Sequence, residues 1–476
     1  MKPTKTIIGL LLAALTGGCA TVPRAAGFPA VEDTVSERTG GLRVHWNQGT
    51  ASDAAVAESV RTMLLNELAV EDAVQVALLN NRNLQATYEA LMIAQADLVE
   101  AGLLRNPVFD AEIRFVEGGG GTGIEMALVQ DFIDILYIPL RKRMAAEAFE
   151  ATKLRVAGEV LDLAGDVRAA FYSLQATIQT LEMRRQVVAA TSASYELAQR
   201  LRVAGNNREL DLANEQALFE QSKLNLRAAE AQVARDRETL NRLMGVWGPQ
   251  TGWVIAPRLP DLPDDVIAIE GLEGRAIERS LDLGVARRDV EQAARAVGIA
   301  APFGGISEAE VGATAEREPD GEWTAGPSLS LPIPLFNQGQ PVVASARARL
   351  RQSRERYTAM AIEIRSLTRA GHEAVAAARE RAQYYEQIIL PLRQEIVEQT
   401  QLQYNAMQIG AFELLQAKRE QIDAGNDYIR TLRDYWIARA ELDLLLSGHL
   451  ASLNESNTDI DESSTSPVSA GEAGGH

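Results

Sequence analysis

The sequence predicts a mainly α-helical protein with a small β part, built as two tandem repeats of a long coiled-coil hairpin and a two-stranded β-hairpin. Three observations lead to this fold class. Long stretches rich in Ala, Arg, Glu, Leu and Gln carry few helix breakers, and aromatic residues make up only 5% of the chain. Four short segments have period two, the spacing of a β-strand. The same order of elements occurs twice, about 201 residues apart.

The N-terminus has the pattern of a bacterial lipoprotein signal peptide over residues 1–18. Two lysines in MKPTK precede the apolar run IIGLLLAALT, and small residues follow up to Cys19. Cys19 is the only cysteine, which excludes an internal disulfide and favours lipidation of its thiol. The alternative is an ordinary signal peptide followed by a coincidental cysteine. Residues 19–67 predict a polar linker with one short helix around Ala54–Leu65.

Residues 68–244 form the first predicted repeat. A helix over Val74–Ala101 leads to a strand in which Phe109, Ile113 and Phe115 alternate with charged residues, and a second strand follows over Ile124–Gln130. The next segment, Arg141–Val203, contains no proline and predicts a helix. Some 60 residues at 1.5 Å each would extend roughly 90 Å. This helix ends at a glycine turn and reverses into a second helix, for which we expect Glu209–Met244.

Residues 276–448 repeat this order after a Gly- and Pro-rich connector at 245–275. The predicted helix, two strands, long helix and last helix of the second repeat are Ala276–Val297, Ser307–Glu316, Trp323–Ile333, Val342–Gln408 and Phe412–Leu446. Arg168 aligns with Arg369 at a shift of 201 residues, but the tip glycines Gly205 and Gly410 lie 205 apart. We therefore expect four extra residues near Pro391 in the second copy. Residues 449–476 are poor in hydrophobic residues and predict a disordered tail.

Several function classes are disfavoured. A net charge of −18 provides no basic excess to bind nucleic acid. The four histidines, His45, His372, His449 and His476, are scattered, so no metal site is expected. No nucleophile or phosphate-loop motif occurs, and we expect neither an enzyme nor a cofactor.

Four segments carry a family resemblance. They are ALLNNRNLQATYEALMIAQADLVEAGLLRNP, PSLSLPIPLF, YNAMQIGAFELLQA and DYIRTLRDYWIARAELDLLLSG. Together with the duplication and the lipoprotein signal, they resemble the TolC-type outer-membrane efflux factor family, in its lipoprotein branch, from about Leu68 to Gly448. The resemblance implies a homotrimer in which each protomer contributes four strands to one 12-stranded transmembrane β-barrel and its helices to a periplasmic tunnel. It also implies a passive exit duct that works with a periplasmic adaptor and an inner-membrane pump.

The alternation of the strands is consistent with such a barrel, because a water-filled barrel faces lipid with apolar residues and its lumen with polar ones. Four strands cannot close a barrel that admits solutes, whereas twelve can. The expected lumen residues are Asp110, Glu112, Arg114, Glu308 and Glu310. The alternative is a small soluble sheet with one buried face.

The resemblance also places functional residues at the two helix reversals. The expected adaptor-docking residues are Arg202, Val203, Gly205, Gln408 and Gly410, although a glycine there also fits turn geometry alone. Acidic residues after the tips would form a periplasmic gate, for which the candidates are Asp211, Glu413 and Gln416. The second tip departs from the family pattern, because Gln416 rather than an aspartate lies six residues after Gly410. Such carboxylates are also typical of a solvated helix face.

Two rival interpretations remain open at this point. A periplasmic membrane-fusion adaptor is also often lipidated and coiled-coil, but it usually has one helical hairpin rather than two in tandem. A purely structural coiled coil would not need the alternating strands. The sequence does not identify the exported substrate, and drugs, metal ions and other small solutes stay possible.

Overall fold

A computed structural model describes residues 21–450 apart from 116–121, 132, 206–207, 266, 304–308, 319 and 334. The predicted signal peptide with Cys19 and nearly all of the predicted tail lie outside these residues. The described chain is mostly helical. The elements up to the end of the first repeat are α1 Phe28–Thr39, α2 Ala51–Leu64, β1 Glu67–Leu68, α3 Val70–Asn80, α4 Arg82–Glu100, β2 Val108–Phe115, β3 Thr122–Asp131, α5 Ile133–Val203 and α6 Glu209–Met244.

The rest of the chain repeats the order of these elements. A 3₁₀ turn at Gly248–Gly252 and the strand β4 Val254–Ile255 come first. They are followed by α7 Leu272–Arg279, α8 Leu281–Phe303, β5 Glu310–Arg317, β6 Trp323–Ser330, α9 Gln340–Tyr384, a π-helical segment at Tyr385–Ile389, α10 Leu390–Asn405 and α11 Ala411–Ser447. The predicted duplication of helix, two strands, long helix, tip and helix is confirmed.

The longest element is α5, whose 71 residues correspond to about 105 Å at the rise of an α-helix. It begins at Ile133, eight residues before the predicted start, because Pro139 is accommodated inside the helix rather than ahead of it. Proline lacks the N–H that would bond to the previous turn, so one intrahelical hydrogen bond is lost there. α6 packs along α5 and has the predicted bounds.

The first helix of each repeat is interrupted at an equivalent place. Asn81 separates α3 from α4, and its side chain accepts a hydrogen bond from the Leu84 N–H at 3.0 Å. Ser280 separates α7 from α8, and its hydroxyl accepts from the Leu283 N–H at 3.0 Å. Both side chains therefore cap the helix that follows. The sequence predicted one continuous helix in each place, because Asn and Ser also occur inside helices.

The last helix of each repeat ends against this interruption. Gly245 (φ 67°) ends α6 beside Asn80, whose amide group donates to the carbonyl oxygens of Met244 at 3.1 Å and Gly245 at 2.8 Å. Gly448 (φ 108°) ends α11, and its carbonyl oxygen accepts from the Leu281 N–H at 2.7 Å. Each repeat is thus closed where its first and last helices meet.

The second repeat has a further closure made of charged residues. Arg38 at the end of α1 donates to the carbonyl oxygens of Arg279 at 2.9 Å and Ser447 at 3.4 Å. His449 lies between two carboxylates, with Nε2 3.0 Å from Asp162 and Nδ1 3.0 Å from Asp282. Because Asp162 is on α5, this histidine connects the end of the second repeat to the first.

The expected insertion of four residues in the second repeat is wrong. Met407, which has φ 59°, occupies the place in the second tip that Gly205, with φ 78°, has in the first, 202 positions earlier. Relative to the shift of 201 at Arg168, only one residue has been added. A π-turn accommodates one extra residue, and the Leu390 N–H bonds to the Tyr385 carbonyl oxygen, five residues back.

The four long strands form one antiparallel sheet in the order β2-β3-β5-β6, so the hairpins of the two repeats pair through β3 and β5. The predicted alternation is kept across the sheet. Phe109 pairs with Leu128 and Ile113 with Ile124, which places the apolar residues on one face. β6 ends at Ser330, before the predicted Ile333, opposite Glu310, where its partner strand β5 begins.

Residues 21–67 are more ordered than the predicted linker. The predicted helix is present as α2, but α1 was not predicted, and its Val31 and Val35 are buried in the main hydrophobic core. The ring of Phe28 packs edge-on against Tyr88 of α4, with 5.0 Å between centroids. β1 pairs in parallel with β4 of the connector. The N-terminal segment and the connector therefore pack together on the first repeat.

The hairpin tips and the polar face of the sheet

The first tip reverses the chain between α5 and α6 at Gly205. The Ala204 N–H donates to the Arg200 carbonyl oxygen at 3.1 Å, and the Gly205 N–H donates to that of Arg202 at 3.0 Å. Val203 is 90% exposed. The guanidinium of Arg208 contacts both carboxylate oxygens of Asp211, at 2.9 and 3.1 Å, just where α6 begins. Three predicted docking residues and a predicted gate residue therefore lie together at one end of the helical hairpin.

The second tip has the same backbone and different side chains. The Ala406 N–H donates to the Leu402 carbonyl oxygen at 3.0 Å, and the Met407 N–H donates to that of Tyr404 at 2.9 Å, the same pattern shifted by 202 residues. The expectation that Gly410 supplies the positive φ is wrong. Gly410 has φ −82° and precedes α11 as an extended residue, whereas Met407 adopts the left-handed conformation.

This register changes which acidic residue of the second tip corresponds to Asp211. Asp211 lies six residues after Gly205, and Glu413 lies six residues after Met407. Both are the third residue of a helix, where a carboxylate interacts favourably with the helix dipole. Gln416 lies one turn further, and its amide donates to Glu420 at 2.8 Å within the same helix. The apparent departure from the family pattern arises from counting from Gly410 rather than from Met407.

The polar face of the sheet carries a row of acidic side chains around one arginine. Register places Glu112, Glu125 and Glu316 side by side on three neighbouring strands. Arg114 lies within ion-pair distance of all three, at 3.0 Å from Glu112, 2.5 Å from Glu125 and 3.9 Å from Glu316. The sequence did not single out Glu125 and Glu316, although the same alternation would have found them.

The remaining predicted lumen residues are distributed along this face. Asp110 pairs with Ala127 on β3 and Glu310 with Asp131, which puts both on the side of Glu112. Glu308 lies outside the described residues. On the opposite face, large apolar side chains are uncovered by the chain itself, among them Phe109 at 64%, Phe115 at 81%, Trp323 at 54% and Leu329 at 73% exposure.

The described residues contain neither a membrane-spanning helix nor a cluster of metal-ligating side chains. No helix there has both the length and the hydropathy of a membrane span. Likewise, within the same residues no three or more His, Asp or Glu side chains are grouped as they would be around a metal ion.

Comparison with known proteins gives the class of this chain. It is 22% identical over 392 residues to the cobalt-zinc-cadmium resistance protein CzcC of Cupriavidus metallidurans, covering 80% of this chain and 90% of CzcC. A membrane protein from Pseudomonas aeruginosa superposes with a TM-score of 0.68 at 18% identity, over 80% of this chain and 91% of that one. The CmeC outer membrane channel of Campylobacter jejuni gives 0.67 at 15% identity, over 80% and 86%. The fold is that of an outer-membrane efflux channel.

The profile of the outer membrane efflux proteins matches residues 141–246 and 272–448, more than half of the chain. The chain belongs to this family. It is the outer-membrane channel component of an efflux system and extends into the periplasm. The match spans both helical hairpins, which favours the channel over the adaptor interpretation.

Proposed function

We propose that three copies of this chain form a passive exit duct for small solutes across the periplasm and the outer membrane. The observation that carries the proposal is the four-stranded sheet, which has one apolar and one charged face and leaves the outer sides of β2 and β6 unpaired among the described strands. Three such sheets joined edge to edge would close a 12-stranded barrel, with the apolar faces against outer-membrane lipid.

The lumen of this barrel would be lined by the polar face. Asp110, Glu112, Glu310 and the unpredicted Glu125 and Glu316 outnumber Arg114 there. A ring of three copies would therefore have excess negative charge, which favours the passage of cations. CzcC is a cobalt-zinc-cadmium resistance protein. Metal ions and cationic drugs are both compatible with such a lumen.

The tips would form the periplasmic end of the duct. In this proposal Arg202, Val203, Gly205, Gln408 and Gly410 contact a periplasmic adaptor, which connects the duct to an inner-membrane pump. Asp211 and Glu413 would form the gate, and their equivalent positions support a paired acidic ring, while Gln416 would lie one turn above it. Cys19 would carry the lipid anchor. Transport through the duct needs no catalytic group.

Planar-bilayer conductance of the detergent-extracted protein, measured beside its oligomeric mass, tests the proposal. A trimer with discrete, cation-preferring steps is the expected result. Replacing Glu112, Glu125 and Glu316 by Gln should reduce the cation preference without changing the mass of the trimer. A monomer without conductance would contradict the duct, and unchanged selectivity in the triple variant would contradict the assignment of the lumen.

A further inference from the structure

Met407 has an unusual backbone conformation for an exposed residue. In the described part of the chain, Ala26 and Met407 have a positive φ without being glycine, at 38° and 59°. Ala26 is 1% exposed and belongs to the hydrophobic core, so its surroundings hold it in place. Met407 is 93% exposed. Its side chain therefore gains no packing within the chain that would offset the cost of the left-handed conformation.

The first tip shows that the turn itself does not require a methionine. Gly205 makes the same backbone hydrogen bonds at the equivalent position, with nothing within 4 Å of the place where a Cβ would be. A glycine adopts positive φ without steric cost, so it is the residue that turn geometry favours. What methionine adds at position 407 is its side chain, which is flexible, polarizable and suited to binding an apolar surface.

The surroundings of Met407 are apolar and acidic. Leu402 is 61% exposed before the turn and Phe412 is 66% exposed after it. No Lys or Arg occurs between Arg393 and Lys418, and this stretch contains Glu395, Glu398 and Glu413. Glu413 makes no ion pair with any described residue. The equivalent stretch of the first tip contains Arg200, Arg202 and Arg208, so the second tip alone lacks positive charge of its own.

We propose that Met407 is an apolar anchor for the periplasmic adaptor, received by an apolar pocket that lies between Lys or Arg side chains of that partner. Charge complementarity supports the basic pocket, because Glu413 beside the turn, like Glu395 and Glu398 farther back along α10, has no cation on its own tip. The inference rests on the proposed docking of an adaptor at the tips. It adds the residue that would dominate the contact at the second tip and the chemistry of the surface that binds it.

Variants at position 407 separate the role of the residue in the turn from its role as an apolar anchor. Met407→Gly removes both the side chain and the backbone strain, Met407→Asn removes the apolar group but tolerates positive φ, and Met407→Leu keeps an apolar side chain. The probes are the membrane-fusion adaptors of the same host, each purified, and the one that binds the full-length wild-type trimer is used for all variants. We expect Met407→Gly and Met407→Asn to bind at least tenfold more weakly, and Met407→Leu to bind within about threefold of wild type.

Thermal melting of the same trimers provides the second measurement. Met407→Gly should melt at the wild-type temperature or above it, because the strain is relieved. The reciprocal change Gly205→Met should lower the melting temperature, since it introduces the same strain at the first tip. Glu413→Gln should weaken adaptor binding and make it less sensitive to salt.

Three results would overturn the inference. One is adaptor binding by Met407→Gly as tight as that of wild type, which would exclude the side chain as an anchor. Another is a lower melting temperature for Met407→Gly, which would mean that methionine is retained for folding. A wild-type trimer that conducts but binds none of the adaptors would overturn this inference and the proposed docking, while the duct itself would stand.

Discussion

The two repeats of this channel reverse direction with the same backbone and with different side chains. Two backbone hydrogen bonds of the first tip have counterparts in the second at a shift of 202. In the first tip Gly205 makes the turn and Arg208 pairs with Asp211. In the second tip Met407 makes the turn, and the position equivalent to Arg208 is Gly410. Duplication therefore preserved the turn, while its surface chemistry diverged.

The closures of the two repeats show the same contrast at the other end of their last helices. The first repeat is closed by amide side chains from its own helices, Asn80 and Asn81. The second is closed by Arg38 from the N-terminal segment and by His449 between two carboxylates. The second repeat keeps a neutral backbone hydrogen bond between Leu281 and Gly448, and charged contacts that join different parts of the chain are added to it.

The largest expected effect concerns the glycines that end the last helices. Gly448 has φ 108°, and Gly448→Ala would place a methyl group against the carbonyl oxygen of Arg279. We expect the free energy of unfolding to fall by about 3 kcal/mol or more. Gly245→Ala brings a Cβ to 2.7 Å from the Asn80 carbonyl oxygen and should cost about 2 kcal/mol. Gly205→Ala meets no atom within 4 Å, so only the strain of about 1 kcal/mol remains.

Chemical denaturation of the purified variants at one protein concentration would rank them. Gly274→Ala is the matched control, because Gly274 lies inside α7 and has open space around its Cβ position. This variant should be neutral or slightly stabilising. If Gly448→Ala were as stable as Gly205→Ala, the close approach of α11 to the interruption between α7 and α8 would be wrong.

The pH dependence of stability should distinguish the charged closure from the neutral one. Burial lowers the pKa of His449, but the hydrogen bonds to Asp162 and Asp282 outweigh this and raise it to about 10. Because the pKa is higher in the folded protein than in the unfolded chain, protonated His449 stabilises the fold. This stabilisation is complete below the ordinary histidine pKa of about 6.5, and it is lost as the pH rises towards 10. Over that pH range we expect the free energy of unfolding of the wild type to fall by on the order of 2 kcal/mol more than that of His449→Asn.

The measurement is the free energy of unfolding at several pH values for the two proteins. Subtracting the His449→Asn curve removes the titration of all other groups. An Asn80→Ala variant of the first repeat should keep the pH dependence of the wild type, because its closure has no titrating side chain. Parallel curves for wild type and His449→Asn would show that His449 is not cationic between its carboxylates.

Alanine substitutions at the two helix interruptions should lower the free energy of unfolding by different amounts, and the difference should be smaller than those above. Asn81→Ala removes both the cap on the Leu84 N–H and the donation to the Leu243 carbonyl oxygen at 2.8 Å, and should cost about 2 kcal/mol. Ser280→Ala removes only a cap and should cost about 1 kcal/mol. Asn81→Ser keeps the cap alone and should fall between wild type and Asn81→Ala. Equal losses in both alanine variants would contradict the extra contact in the first repeat.

The sequence predicted the features that depend on local pattern. The bounds of α6, the period of the strands and the duplication all follow from spacing along the chain. It missed α1, because only Val31 and Val35 are buried there and the helix depends on packing against distant residues. It assigned the second turn to Gly410, because glycine is the usual residue at positive φ, and nothing in the sequence indicates a methionine in that conformation.

The smallest effect is expected from two variants that remove the ion pair from the first tip and introduce it into the second. Arg208→Gly removes the partner of Asp211, and Gly410→Arg places an arginine three residues before Glu413, as in the first tip. Gly410 has an extended backbone that any residue can adopt, and the atom nearest to its Cβ position is the mobile carboxylate of Glu413 at 3.0 Å. Because the guanidinium of Arg208 is largely exposed, such a pair contributes little to stability.

Hydrogen exchange of the first amides of α6 and α11 can detect a change of that size. Protection should fall in α6 of Arg208→Gly and rise in α11 of Gly410→Arg, and high salt should abolish both differences because it screens exposed charges. An arginine that protected α11 equally in high salt would act through helix propensity instead of charge. The two tips would then differ in the helix propensity of the residue at this position. Glu413 would not be a charge partner equivalent to Asp211.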